Sequence, residues 1–416
     1  MSENEAGRKT YSPNAVLGML LVVYTFNFLD RQILAILAQP VKADLGLSDT
    51  QMGVLGGLAF ALLFSTMAIP LGVLADRKGR ARVIGWSLAV WSGFTALCGV
   101  ATSFWQLFLF RLGVGIGEAG GVAPSYAIIS ETFPPEKRAR AMATYSLGIP
   151  LGQAVGALFG AMIAAAVDWR LAFIVLGLAG LLVVLPFRRV VRDRPIAPEA
   201  VQVPVAQTFA RLARLPVFWL MSLGAATGSL CGYGIAFWVP TLIQRSYGLT
   251  LVETGQFMAA QLLLAGTVGM YAGGFVADRI GTRDRAGYAR VGAIAYALSF
   301  PLMALAFLST DLVALFLILL LPSGLIYVWL GPTTTAIQHL VPANERATAS
   351  ACYLFVNNGI GLTFGSLAVG GLSDALAPYY GAESLRWAVI AVCSLYLLAA
   401  LFMTLAAPRL RKAWID

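Results

Sequence analysis

Charge is what this sequence has least of. Only 12% of its 416 residues are Asp, Glu, Lys or Arg, while 59% are hydrophobic, against roughly 25% charged and 45–50% apolar in ordinary soluble domains. That balance excludes a water-soluble globular chain. There is a single histidine, His339, beside "VPANER", where a boundary role is expected rather than catalysis. The four cysteines, Cys98, Cys231, Cys352 and Cys393, are scattered through apolar runs without a CxxC spacing, so small packing residues are expected and no metal set or disulfide framework is indicated. No nucleophile has a base at usable spacing; a lipid-modifying membrane enzyme is therefore a remote alternative, and no cofactor is implied. Alternating ten-residue segments, the mark of a membrane β-barrel, are also missing.

What fills the chain is long apolar runs, near residues 15–38, 52–75, 83–102, 105–129, 141–166 and 171–187, then 217–239, 255–277, 289–308, 312–337, 350–371 and 387–406. Each has the length an α-helix needs to cross roughly 30 Å of hydrocarbon. Helices are required because lipid cannot satisfy loose backbone groups. The expectation is an all-α membrane protein of twelve transmembrane helices. The polar start and the length of the first run argue for a retained helix, not a cleaved signal. Of the 29 Lys and Arg residues, 23 fall at the termini or in alternate loops between runs. By the positive-inside rule both termini are expected in the cytoplasm, with the chain in the inner membrane. The net charge of +9 then reflects topology, and no nucleic-acid partner is needed.

The chain repeats itself. "GVLADRKG" from Gly72 aligns with "GFVADRIG" from Gly274 at an offset of 202, which also carries Gly46, Leu47 and Gly53 onto Gly248, Leu249 and Gly255. At an offset of 208, Arg138, Tyr145 and Pro124 fall on Arg346, Tyr353 and Pro332. Two pseudo-symmetric six-helix bundles are expected, residues 1–187 and 215–416, joined by a Pro- and Arg-rich linker at 188–214.

The loop after the second run, "GVLADRKGRAR", resembles the signature of the major facilitator superfamily, G-x-L-x-D-R-x-G-R, with a reduced copy after the eighth run. The resemblance implies a gating role for Gly72, Asp76, Arg77, Gly79, Arg80 and Arg138, with Asp278 and Arg279 in the second copy. Asp76 is similar to the aspartate that joins the halves by facing a helix N-terminus, a favourable place for an anion.

Against so little charge, Asp30 and Arg31 in the first run and Arg111 and Glu118 in the fourth stand out. Their repeat equivalents are Gly232, Tyr233, Leu319 and Ile326, so the shared fold does not require them. An ionised group at the bilayer centre costs about 2.5–3.5 kcal/mol or more, so such groups pair, face a cavity or become neutral. Arg111 and Glu118 share a helix face two turns apart and cannot touch directly, while Asp30 and Arg31 point about 100° apart. Arg111 is the expected partner of Asp30. The alternatives are a permanent neutral network and a proton-exchanging site in which arginines also hold an anion.

"NFLDRQ" at Asn27, "RLGVGIGEAG" at Arg111 and "YSLGIPLGQAVG" at Tyr145 together resemble the spinster branch of the superfamily. That resemblance implies a proton-coupled transporter of lysophospholipid- or sphingosine-phosphate-like anions, with Asp30 and Glu118 as proton carriers and Arg31, Arg111 and Asn27 near the substrate. Related branches carry sugar acids and aromatic acids, the alternative substrate class. In the second half, Tyr233, Phe237, Tyr327, Trp329, Asn357 and Asn358 are the cavity candidates. Gly113, Gly115 and Gly117 lie within a membrane helix, which excludes a phosphate loop; the glycines around Pro150 permit close helix approach. The partners expected are protons, a lipid-like or small anion and the bilayer, for a chain working as a monomer.

Overall fold

The computed structural model describes residues 11–193, 205–281, 284–342 and 345–415, and these are helical with no strand. Ten stretches are long and apolar enough to cross a bilayer. One of them, Thr348–Ala413, reverses at a short 3-10 turn, Gly381–Glu383, and supplies two crossings; Leu251–Gly281 adds the twelfth. The turn needs a glycine, because Gly381 has φ +54°.

In chain order, spans 1 to 6 are Pro13–Ile36, Asp49–Lys78, Arg80–Cys98, Phe104–Thr132, Glu136–Ala166 and Trp169–Val190. Spans 7 to 10 are Pro216–Tyr247, Leu251–Gly281, Gly287–Leu308 and Leu312–Gln338. Span 11 is Arg346–Tyr380, and span 12 joins Ser384–Cys393 to Leu395–Ala413. Polar residues between apolar runs begin the helices: the side chains of Ser12, Ser48, Ser103, Asp168 and Asp311 each accept a hydrogen bond from a backbone N–H of the first turn. The linker expected at 188–214 is partly helical, since span 6 continues to Val190 and Val205–Ala213 forms a helix against spans 7 and 11. Thr208 and Arg211 of that helix bond Glu345, at the start of span 11, at 2.9 and 2.7 Å.

Spans 1–6 pack chiefly on one another, as do spans 7–12, and the two groups meet along spans 2 and 11, 5 and 8, and 1 and 7. An even number of crossings puts Pro13 and Ala413, the outer ends of spans 1 and 12, on one face. At the other, far face the bundles are latched. Arg245 of span 7 grips Asp49 of span 2 with two bonds of 2.8 and 2.7 Å, and Asp49 also accepts from Lys42 at 2.5 Å and from Ser373 of span 11 at 2.7 Å. Asp374 of span 11 caps span 2 from across the interface, accepting from the backbone N–H groups of Asp49 and Thr50 at 3.1 and 2.7 Å. This is an anion at a helix N-terminus, supplied by the partner bundle. Small residues allow the approach: a Cβ at Gly370 would stand 2.3 Å from the Asp49 carbonyl oxygen, and one at Gly53 would stand 2.5 Å from that of Ser366.

On the terminal face, Trp414 stacks between Tyr288 and His339, with ring centroids 5.4 and 4.2 Å away. Arg411 and Arg290 both bond Asp284, Arg411 through Nε at 2.8 Å. The chain end is thereby strapped to spans 9 and 10.

Two outcomes are expected. All four native cysteines are buried, so a cysteine replacing Gln39 reads the far face alone; Gly370→Leu should wedge the latch and raise its labelling by an impermeant maleimide several-fold. Unchanged labelling would remove the latch as a closure. At Asp284, bonding to Arg411 holds the carboxyl down at about 2. A depressed value means the strap's contribution is present above the ordinary carboxylate range and lost only as pH falls through about 2. Carboxypeptidase release of the C-terminal residues at about pH 7, where Asp284 is ionised, should therefore be faster in Arg411→Ala than in the wild type.

Candidate functional site

Span 1 brings Asn27, Asp30 and Arg31 against Arg111 and Glu118 of span 4. Arg31 Nε donates to Glu118 Oε2 at 2.8 Å, with the arginine side chain 15% exposed and the carboxyl fully buried. The guanidinium carbon also lies 5.0, 4.7 and 4.8 Å from the ring centres of Phe28, Phe60 and Phe64, and that of Arg111 lies 5.3 Å from Phe60. Phenyl faces are favourable neighbours for a cation held away from water. The glycines between Arg111 and Glu118 have a packing reason: Cβ atoms at Gly115 and Gly117 would stand 2.4 Å from the Phe60 carbonyl oxygen and 2.5 Å from the Trp91 backbone nitrogen. Spans 2 and 3 thus close around the charged face of span 4.

The expected pairing of Asp30 with Arg111 is not made. Arg31 takes Glu118 instead: neighbours on span 1 point about 100° apart, and it is Arg31, not Asp30, that meets the Glu118 carboxyl. Both Asp30 carboxylate oxygens, Arg111 Nε, Glu118 Oε1 and both polar atoms of the Asn27 amide have no hydrogen-bond partner among the described residues. A buried group left so costs about 1–3 kcal/mol, and here several such groups gather around one ion pair.

In front of the ion pair, between the bundles, is a cavity of about 540 Å³ of empty volume including its mouth. Arg31, Arg111, Tyr233 and Phe237 stand in its wall, with Phe28, Gln32, Phe60, Gln153, Leu362 and Ser366. Asp30, Glu118 and Asn27 lie behind the wall. Of the other candidates, Tyr327 donates from its hydroxyl to Gln153 Oε1 at 3.3 Å. Trp329 turns away to Tyr296, at 6.1 Å between ring centroids, since two residues along a helix point about 200° apart. Asn357 is spent inside the second bundle, accepting from Ser229 at 2.9 Å and donating to Asn358 at 3.1 Å. Sequence reasoning missed Gln32 and Gln153; Gln32 follows Arg31 directly and Gln153 ends "GIPLGQ", so both were within the quoted motifs.

The motif loop also differs from expectation. Asp76 bonds Arg80 in its own turn at 2.9 Å, and Arg80 pairs with Glu131 of span 4. The anion at the N-terminus of span 3 is Asp193, accepting from the N–H groups of Ala81 and Arg82 at 2.7 and 3.3 Å. Gly79, at φ +107°, makes room for it, because a Cβ there would lie 2.4 Å from the Asp193 carboxyl. Arg138 donates to the Phe133 carbonyl at 3.0 Å, Arg77 and Arg279 are exposed, and Gly72 faces open space. The side chain of Asp278 lies outside the described residues.

Breaking a buried pair by removing one partner costs about 3–5 kcal/mol. Arg31→Met should lower the thermal midpoint clearly, and adding Glu118→Gln to it should restore much of the loss. Strictly additive losses across that double-mutant cycle would mean that the two groups are not coupled.

The Major Facilitator Superfamily profile matches residues 20–366. An MFS-type efflux pump of Mycolicibacterium smegmatis is 34% identical over 406 residues, covering 97% of this chain and 94% of that one. The hexuronate transporter of Bacillus subtilis is 27% identical, covering 91% and 92%. Among solved structures, a bacterial homologue of the human lysosomal transporter spinster, in an inward-facing and unoccupied conformation, superposes with a TM-score of 0.86 at 28% identity, covering 97% of this chain and 98% of that one. The twelve spans, the central cavity and these likenesses agree: the chain belongs to the major facilitator superfamily and is a multi-pass membrane transporter, not an enzyme.

Proposed function

We propose that the protein moves an amphipathic anion across the inner membrane, with both termini in the cytoplasm, and that binding of the anion is linked to protonation of Glu118. The observation that carries this reading is the double position of Arg31, ion-paired to Glu118 and standing in the cavity wall. One guanidinium cannot satisfy two anions fully. A phosphate or carboxylate head group that takes Arg31 leaves Glu118 in a dry site without its cation, where it takes a proton. Anion and proton are then held together with little net charge, the condition for moving past the bilayer midplane.

The wall suits a head group with an apolar body: Phe28, Phe60 and Phe237 line it beside Arg31 and Arg111. Likeness to the spinster homologue favours a lysophospholipid- or sphingosine-phosphate-like substrate. The latched far face supports a cavity that opens toward the cytoplasm, as in that relative's inward-facing form, and the likeness to an efflux pump favours export. In this reading Asp30 is a second proton site, and the turn from Asp76 to Arg80, with Arg138 and the second copy at Asp278 and Arg279, governs the cytoplasmic gate. A small sugar acid is the second reading, favoured by the amides of Gln32 and Gln153 beside the arginines and by likeness to the hexuronate transporter. The chain is taken to act as a monomer.

Proteoliposomes enclosing a pH-sensitive dye test this. Lysophospholipid should drive proton movement that is lost in Arg31→Ala and Glu118→Gln, while hexuronate should not. Movement with hexuronate alone would transfer the site to small anions, and silence with both would overturn the coupling.

A further inference from the structure

His339, the chain's one histidine, closes span 10 on the terminal face and is half-buried there. Its Nδ1 lies 2.9 Å from the Ile415 carbonyl oxygen and 3.3 Å from Arg346 Nη2 of span 11. A carbonyl oxygen can only accept a hydrogen bond, and a guanidinium can only donate one. A ring nitrogen carries either a proton or a lone pair, so Nδ1 serves one of these neighbours at a time and gives up the other. Arg346 is not fully satisfied elsewhere, since its Nε is buried without a hydrogen-bond partner among the described residues.

The carboxylates nearby are committed. Asp284, held down at about 2, stays ionised at neutral pH and bonded to Arg411 and Arg290. Glu345 accepts from Thr208 and Arg211 of the linker helix. The remaining charged groups on the packed elements are cations: Arg285 lies 5.5 Å from the Trp414 ring centre, and Arg409 and Lys412 of span 12 are exposed. The side chain of Asp416 lies outside the described residues. The internal repeat sharpens the contrast. At the offset of 208, Arg346 falls on Arg138 and His339 falls on Glu131, whose carboxylate pairs with Arg80. Where the first bundle has a carboxylate, the second has an imidazole, the side chain whose charge ordinarily changes between about pH 5 and 8.

We infer that His339 is a proton-operated catch joining the ends of spans 10, 11 and 12. When the ring is neutral, Nδ1 accepts from Arg346 and ties span 10 to span 11. When it is protonated, Nδ1–H donates to the Ile415 carbonyl and holds residues 411–415 on span 10. The added proton sets two donors and two cations against each other at the Arg346 contact, 3.3 Å apart. The bond to Ile415 becomes charge-assisted, and the Trp414 ring, 4.2 Å away and within 9° of parallel, is a favourable face for a cation. The segment is therefore held at the acid end of the range and loosens as pH rises. It does not leave, because the Ile415 N–H donates to the His339 backbone carbonyl at 2.7 Å whatever the ring carries. Span 11 runs from Arg346 to Leu362 and Ser366 in the cavity wall, so release of Arg346 bears on an element that lines the cavity. The catch does not depend on which anion is carried; only the compartment whose pH it follows rests on the orientation proposed above.

The test uses the full-length protein without a histidine tag, so that isotope-labelled histidine reports His339 alone. Nitrogen NMR should find a lone pair on Nδ1 at about pH 8 and a proton at about pH 6. In Arg346→Met the neutral ring should keep its proton on Nδ1, because the carbonyl is the partner that remains. A nitroxide on Ile415→Cys, selective because the native cysteines are buried, should be several-fold more mobile at the higher pH. His339→Phe keeps a ring against Trp414 and should abolish that response. A proton on Nδ1 at both pH values in the wild type would overturn the catch. So would a label indifferent to pH, or a response that survives His339→Phe.

Discussion

The contact on which this architecture turns is the ion pair between Arg31 and Glu118, made where water is scarce. A lone cation or carboxylate at that depth is unstable by several kcal/mol, so each needs the other, and the bundle is arranged to let them meet. Gly115 and Gly117 remove the side chains that would hold spans 2 and 3 away from span 4, and Phe28, Phe60 and Phe64 surround the guanidinium with ring faces. The pair is incomplete by design of the site around it: Glu118 keeps one oxygen unbonded, and Arg31 keeps an edge on the cavity. A fully satisfied pair would be a lock. A pair with one open side is a place where a competing anion can enter.

The two halves divide the work, although they are copies. The charged residues in the cavity wall, Arg31 and Arg111, come from the first bundle, and the second presents Tyr233, Phe237, Leu362 and Ser366 to the same space. The second bundle's amides are turned inward, Asn357 to Ser229 and Asn358. Closure follows a different chemistry from binding. At the far face, Asp49, Arg245 and Asp374 form short, multiply bonded contacts across the bundles, and Gly53 and Gly370 bring backbones together. Such contacts are strong when made and vanish with small displacements, which suits a gate with two states.

The fold was open to reading from hydropathy alone, because a membrane span has few alternatives to an apolar helix. The internal repeat suggested two bundles, and neither the linker helix at Val205–Ala213 nor the extension of span 6 to Val190 could be read from it. The site was legible as far as charge in an apolar setting can carry. Arg31 and Arg111 stand in the wall, but which carboxylate meets which arginine depends on side-chain reach, which helical angles do not contain. Asp76 illustrates the same limit: it bonds Arg80 four residues on, and the anion at the N-terminus of span 3 is Asp193, more than a hundred positions away in the chain. The second bundle's candidates were chosen by residue type, and a helix sends only some of its residues to any one cavity, as Trp329 shows.

The central claim is that the substrate anion and Glu118 compete for Arg31. The most direct measurement is proton uptake on binding, followed with a pH indicator in weakly buffered detergent solution as an amphipathic anion is titrated into the purified protein. Uptake that rises in step with occupancy and disappears in Glu118→Gln is the predicted result; binding without proton uptake, or uptake unchanged in Glu118→Gln, would contradict it.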